Sequence, residues 1–319
     1  MGGLALVSHT AEIPPEHGSP LTAVPIAAWS FLAGVGQWLF PWRLSPDYVE
    51  LEHAALGWAA AAVIALSAVG AWRLRARQPW LAAGVLGAIA AYLPTSGLLP
   101  ISNLRADRYF YLPSLGLALA TAAGLAWLVA RVPALRGRSF ELPRWWLLVA
   151  VLVAALGARA RHQARVWRDD LTLWTHATRV QPGASRAWTA LAEARLRRGL
   201  LPGAHAAVDH SLRLADDPHA RELLGIVLME EGDLDGAHRE LERALAQAEP
   251  HHRAEWLNNL GTAELRLGRL DAALARFQEA RRLAPDYEAA WLNAARTLQQ
   301  KGDLEGARRL LQSRPATGP

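Results

Sequence analysis

Two sets of residues in this chain have the types and spacing to do chemistry. The first is the pair Asp107-Arg108, inside the string Asn103-Leu104-Arg105-Ala106-Asp107-Arg108-Tyr109-Phe110-Tyr111-Leu112-Pro113-Ser114. A carboxylate can take a proton and a guanidinium can hold an anion, so an adjacent pair is a minimal polar site. The bland alternative is an interfacial pair that fixes a loop against lipid headgroups. The second set is Asn259 and Asn293, which recur at one position of successive helical repeats. Side-chain amides both donate and accept, so such a row suits the backbone of an extended peptide. Arg186, Arg266 and Arg296 join them as candidate groove residues. The competing expectation is that each amide caps or bridges within its own repeat. His176, His205, His210, His219, His238, His251 and His252 show no metal-ligand spacing with carboxylates and read as surface residues, so no metal and no cofactor is expected.

The elements that must position these groups divide near Arg159. The chain has 319 residues, enough for two domains, and no cysteine, which removes disulfides and thiolate chemistry. Charges are sparse from Pro20 to Ala158 and recur every few residues afterwards. The net charge of +5 is spread, with Arg alternating with Glu and Asp on the later helices, so nucleic-acid binding is not expected. The predicted organisation is a tail over 1–20, a polytopic helical membrane domain over 21–158, a lead-in over 159–184, a repeat solenoid over 185–313 and a tail over 314–319. The fold class is all-α.

Five apolar stretches suggest about five transmembrane helices: Leu21–Trp42, Ala54–Trp72, Trp80 to about Ile101, Tyr109–Ala130 and Trp145–Ala158. A spanning helix needs roughly 20 apolar residues. Pro94 and Pro100 predict that the third ends as a helix near Leu93. Trp29, Trp38, Trp42, Trp58, Trp72, Trp80, Trp127, Trp145 and Trp146 cluster in this half, several at segment ends, as in an aromatic belt. One face carries Arg73, Arg75, Arg77, Arg131, Arg136, Arg138 and Arg144. The other carries Arg43, Arg105 and Arg108, then Arg159, Arg161, Arg165 and Arg168. Long domains translocate regardless of charge, so the short loops decide and place the first face in the cytoplasm. The expected location is a cell inner membrane, with the repeats extracytoplasmic.

After Arg159 the chain resembles tetratricopeptide repeats, whose period is about 34 residues. The pattern runs through Leu257, Leu260-Gly261, Ala273, Phe277, Ala280 and Pro285. It recurs through Trp291, Ala294-Ala295, Gly302 and Ala307. Earlier copies use Leu224-Gly225, Gly232, Ala237 and Leu241, and Trp188, Leu191-Ala192, Gly199 and Ala204. Trp174, Ala177 and Pro182 mark a degenerate leading unit. Small residues let paired helices approach, and larger ones fill the space between pairs. Such stacks present a groove lined by the first helix of each pair.

Three strings extend the resemblance over most of the chain. They are Phe40-Pro41-Trp42-Arg43-Leu44-Ser45-Pro46-Asp47-Tyr48, Ala106 to Ser114, and Arg165-Val166-Trp167-Arg168-Asp169-Asp170-Leu171-Thr172-Leu173-Trp174. They are similar to strings of the transmembrane-and-tetratricopeptide-repeat O-mannosyltransferases and their bacterial relatives, which have a GT-C membrane fold. The resemblance implies a polyprenyl-phosphate-sugar donor, an acceptor polypeptide held by the repeats, and a solenoid facing away from the cytoplasm. It makes Asp107 and Asp47 candidate catalytic carboxylates, and Arg108 and Arg105 candidate ligands of the lipid phosphate. The matching stretch begins part-way through that architecture, without the upstream helices and their acidic loop. Two expectations follow. One is a truncated or partner portion of a protein O-glycosyltransferase. The other is a non-enzymatic, membrane-anchored scaffold whose repeats bind a protein partner.

Overall fold

A computed structural model of the chain describes residues 20–41, 44–46, 54–96, 107–131 and 142–315. Helices and short 3-10 turns account for the regular structure, and no strand occurs among the described residues. The chain forms two compact units, Met1–Pro182 and Gly183–Pro319.

The first unit contains α1 (Pro20–Leu39), α2 (Ala54–Leu74), α3 (Pro79–Tyr92), α4 (Tyr111–Arg131), α5 (Leu142–Val166) and α6 (Asp170–Val180). Pro79 opens α3 at a first-turn position, where its missing N–H has no partner to lose. Pro94 then turns the chain into the 3-10 turn Leu93–Thr95, so the helix stops at Tyr92. A second 3-10 turn, Asp107–Phe110, leads into α4. The packing uses very small residues. A Cβ at Gly84 would lie 2.4 Å from the backbone N of Ala120, and one at Gly116 would lie 2.5 Å from that of Ala88. Thus α3 and α4 meet backbone to backbone through Gly84-x-x-x-Ala88 and Gly116-x-x-x-Ala120. Above that contact Phe31, Tyr92 and Phe110 form a triangle of rings with centroids 5.2–5.8 Å apart. Gly34 makes room for the Phe110 ring.

Of the five expected spans, two qualify among the described residues. Among the described residues, Ala55–Leu74 and Tyr111–Leu128 are long and apolar enough to cross a membrane. The runs Ala23–Leu39 and Pro79–Thr95 are apolar but shorter. The third expected span fails because Pro94 ends it. The fifth stretch falls in α5, where several of the apolar residues lie outside those whose side chains are described; the helix itself continues past Ala158 through Arg159, Arg161, His162 and Arg165. The two qualifying helices are little covered, with 17% and 6% of their best windows buried. Trp58, Leu66 and Trp72 on α2, and Leu115, Leu125 and Leu128 on α4, lie exposed.

The second unit is a stack of four antiparallel helix pairs: α7 (Ser185–Leu196) with α8 (Leu201–Leu214), α9 (Pro218–Glu231) with α10 (Leu234–Ala246), α11 (Arg253–Arg266) with α12 (Leu270–Leu283), and α13 (Glu288–Gln300) with α14 (Leu304–Gln312). Each first helix ends at a left-handed glycine, Gly199, Gly232, Gly268 or Gly302, where a side chain would be strained. Asp233 and Asp303 then cap the second helices by accepting from the N–H of Gly236 and Gly306. Gly225 seats Leu241 and Gly261 seats Phe277, which is fully buried. The core is alanine-rich, which lets the pairs sit close: Ala204, Ala237, Ala273 and Ala307 are all buried.

Candidate functional site: a polar row across the first helices

Consecutive first helices α7, α9, α11 and α13 are neighbours, so residues at equivalent positions form rows across the stack. Asn259 on α11 donates through Nδ2 to Glu222 Oε1 on α9, at 2.6 Å. Asn293 on α13 donates to Asn258 Oδ1 on α11, at 2.9 Å. Both amides therefore bridge backward to the preceding repeat, not within their own. Arg266 does likewise, donating to the Met229 carbonyl at 2.9 Å and to Glu230 at 2.8 Å. Arg186 and Arg296 are exposed on α7 and α13.

The residues that organise this row are ones the repeat pattern did not single out. Two positions before the small-residue pairs of the first three repeats stand Thr189, Glu222 and Asn258, exposed by only 4%, 5% and 6%. Thr189 is satisfied by the Ser211 hydroxyl at 2.8 Å. Glu222 faces Asn259 on one oxygen and His219 Nδ1, 3.8 Å away, on the other. His219 Nε2 in turn meets Glu193 Oε1 on α7 at 3.0 Å. One polar chain, Glu193–His219–Glu222–Asn259, thus crosses three repeats. Aligning the repeats on Leu191-Ala192, Leu224-Gly225 and Leu260-Gly261 and then reading two positions upstream exposes this signal.

Electrostatics follow from burial. Burial pushes the Glu222 carboxyl up to about 7, against the pull of His219 and the Asn259 amide. The hydrogen bond to Glu193 raises His219, whose side chain is itself half exposed. Burial also raises the Tyr287 hydroxyl to about 12, helped by Glu255 and Glu222.

Of the other histidines expected at the surface, His251 is exposed and the rest are partly buried against neighbours. His205 pairs with Glu231 at 2.7 Å, and His238, mostly buried, lies 3.4 Å from Glu264. The rings of His210 and His252 pack on Trp188 and Trp256, and His251 pairs with Glu249. His176 bonds the Leu44 carbonyl at 3.2 Å. Among the described residues no cluster of His, Asp and Glu is arranged to hold a metal ion.

Asp107 and Arg108 fall in the 3-10 turn before α4, whereas Asp47 and Arg105 lie outside the described residues. Next to that turn is a cavity of about 540 Å³. Its wall combines Trp38, Pro41 and Leu44 with Phe110, Tyr111 and Ser114, and is closed by Leu156, Arg159, Gln163 and Trp167 of the α5 side. Arg159 is tied there by bonds to the Pro41 carbonyl at 2.8 Å and to Gln163 at 3.0 Å. The three strings noted in the sequence each supply part of this wall.

Family models for the tetratricopeptide repeat match residues 218–286 and 264–319. Both matches lie in the second unit, which is built of tetratricopeptide repeats. A search of curated proteins finds no match. Among solved structures the chain is similar to MamA from Desulfovibrio magneticus, at 20% identity over 51% of this chain and 91% of that one, with a TM-score of 0.42. It is similar to PilF of Pseudomonas aeruginosa at 19% identity, over 53% and 76%, with a TM-score of 0.41. It is similar to YrrB, described as a tetratricopeptide-repeat protein with an unusual peptide-binding site, at 22% identity, over 51% and 79%, with a TM-score of 0.38.

Proposed function

We propose that this chain is a membrane-anchored scaffold whose repeats hold an extended polypeptide. The observation that carries the anchor is the inverted exposure of α2 and α4. An apolar helix of 20 residues that is only 17% buried favours apolar surroundings, since large exposed apolar faces are rare on soluble proteins. In a bilayer the same face is solvated, and the α3–α4 contact through small residues is the packing that bilayers favour. The recognition surface is the face of α7, α9, α11 and α13, where Asn259 and Asn293 are held at fixed positions by their neighbours. Pre-fixed amides lose little rotamer freedom when a peptide backbone docks. A peptide is also the ligand class stated for YrrB.

A photo-crosslinking amino acid at Arg296, on the groove face, captures a polypeptide in cells, whereas one at Arg309 on α14 does not. Equal capture at both positions, or at neither, rejects the groove. Extraction of the chain from membranes by alkaline carbonate rejects the anchor.

A second reading keeps the transferase resemblance: a portion of, or partner to, a polyprenyl-phosphate-sugar-dependent protein O-glycosyltransferase. It is supported by the meeting of three separated strings around one cavity, with Arg159 in its wall. Asp107 and Arg108 remain its candidate acid–base and phosphate groups. Membranes containing the chain should then transfer sugar from a polyprenyl-phosphate donor to protein, and Asp107→Asn should abolish transfer at unchanged protein level. Transfer that survives Asp107→Asn and Arg108→Ala removes this pair from the chemistry.

A further inference from the structure

The polar chain Glu193–His219–Glu222–Asn259 holds one group whose protonation changes what its neighbour can do. Ionised, Glu222 is an acceptor only, so Asn259 must turn its NH2 toward it. The 2.6 Å contact from Nδ2 to Oε1 is that arrangement. The amide oxygen of Asn259 is then the end left for a partner.

The two oxygens of Glu222 are not equivalent. Oε2 faces Nδ1 of His219, which is a donor when the ring is charged. Glu193 on the far side of the ring favours that charge. A proton arriving on Glu222 therefore belongs on Oε1, beside Asn259. An O–H there meets the NH2 of Asn259 donor to donor, and the contact is restored only if the amide turns over so that its oxygen accepts. The other groups near Glu222 are Glu255 on α11, a carboxylate that offers no donor when ionised, and the Tyr287 hydroxyl ahead of α13, which is engaged with Asn258. The neighbouring second helices commit elsewhere: Glu240 of α10 takes Arg221, and His205 of α8 takes Glu231.

We propose that Glu222 is a positioning residue for the groove, and that its protonation reverses the Asn259 amide, turning the centre of the groove from an acceptor into a donor. The consequence for recognition rests on the peptide-groove reading. With Glu222 ionised, Asn259 offers its oxygen to a backbone N–H of the bound segment. With Glu222 protonated, it offers N–H to a backbone carbonyl. The register of an extended peptide, in which N–H and C=O alternate, then depends on pH.

The test uses the full chain in nonionic detergent with no partner added. Asn103, Asn258, Asn259 and Asn293 are the asparagines of the chain, so selective 15N-asparagine labelling gives a sparse set of side-chain amides. Infrared difference spectra with 13C-glutamate follow the Glu222 carboxyl, assigned by its loss in Glu222→Gln. The expected result is a carboxyl band titrating with a midpoint of about 7. The Asn259 side-chain amide, assigned by Asn259→Ala, moves with the same midpoint while that of Asn293 stays still. An Asn259 amide that is unmoved while Glu222 titrates overturns the switch, as does a Glu222 that titrates with the surface carboxylates. Both readouts come from the wild-type chain once assigned, so a poorly folding variant does not remove the test. A null here leaves the groove reading intact, and failed crosslinking at Arg296 leaves the switch intact.

Discussion

Helices α2 and α11 invert each other. On α2, apolar residues face outward, with Trp58, Leu66 and Trp72 at 51%, 71% and 58% exposure. On α11, polar residues face inward: Asn258 and Glu264 are buried among Trp256, Leu257 and Leu260. On the membrane-anchor proposal, the difference is the solvent each unit meets. Where the surroundings are apolar, burying Leu gains nothing, and helices associate through backbone contact at glycine and alanine. Where the surroundings are water, apolar burial drives the stack, and buried polar groups are costly unless matched, Glu264 Oε2 being one left without a hydrogen-bond partner. Glu222 with Asn259, and Asn258 with Asn293, are those matches.

The most damaging way to break the comparison is in the solenoid core. Phe277→Ala empties a fully buried site and should cost about 3–5 kcal/mol in guanidinium unfolding followed by helical circular dichroism. A loss below about 1 kcal/mol would mean that the stack is not held by apolar burial. Next is Leu66→Arg on the exposed face of α2. In a bilayer a central arginine costs about 3 kcal/mol of insertion free energy, read as the inserted fraction in a membrane-insertion assay. In water the same change lies within about 0.5 kcal/mol. An unchanged inserted fraction would collapse the contrast between the two helices.

The third prediction sharpens the polar side. The folded Glu222 carboxyl stands near 7 against an ordinary value of 4.5, so between these the folded chain binds the extra proton. Stability is therefore present at low pH and falls as pH rises from about 4.5 to 7, by an amount of order 2–3 kcal/mol. His219, raised above 6.5, adds to the same trend: its contribution is full below that value and is lost as pH climbs through the folded one. Midpoints of denaturant unfolding across this range should show the slope, and Glu222→Gln should flatten its lower part. A wild-type chain that gains stability over the same range would contradict the buried carboxyl. The smallest effect is at a helix start. Asp233→Ala leaves the Gly236 N–H without its cap, at a cost of about 1 kcal/mol, while Arg266→Ala, on an exposed pair, costs less.

The repeats were legible because a geometric need recurs. Only small residues fit at Gly225 and Gly261, opposite Leu241 and Phe277, so their spacing in the sequence reports the pairing directly. The polar row was less legible. Asn259 and Asn293 stand out as a recurring type, but Thr189, Glu222 and Asn258 share only polarity and burial, and burial is a property of the stack. The membrane-like half misled by count. An apolar run states composition, whereas a span also needs unbroken helix, and Pro94 cuts one run. Gly84 and Gly116 are two glycines among many in sequence, and only their opposition across α3 and α4 gives them meaning.

That opposition has a mechanical consequence. Where the two backbones touch, at Gly84 and Gly116, there is no side chain to rearrange. The contact cannot absorb a misfit by changing rotamers, so any added atom at position 84 or 116 has to drive the two axes apart along their length. Nor can one helix rotate past the other without first separating. The α3–α4 pair therefore moves as a single stiff strut, and whatever bending this unit undergoes falls outside it.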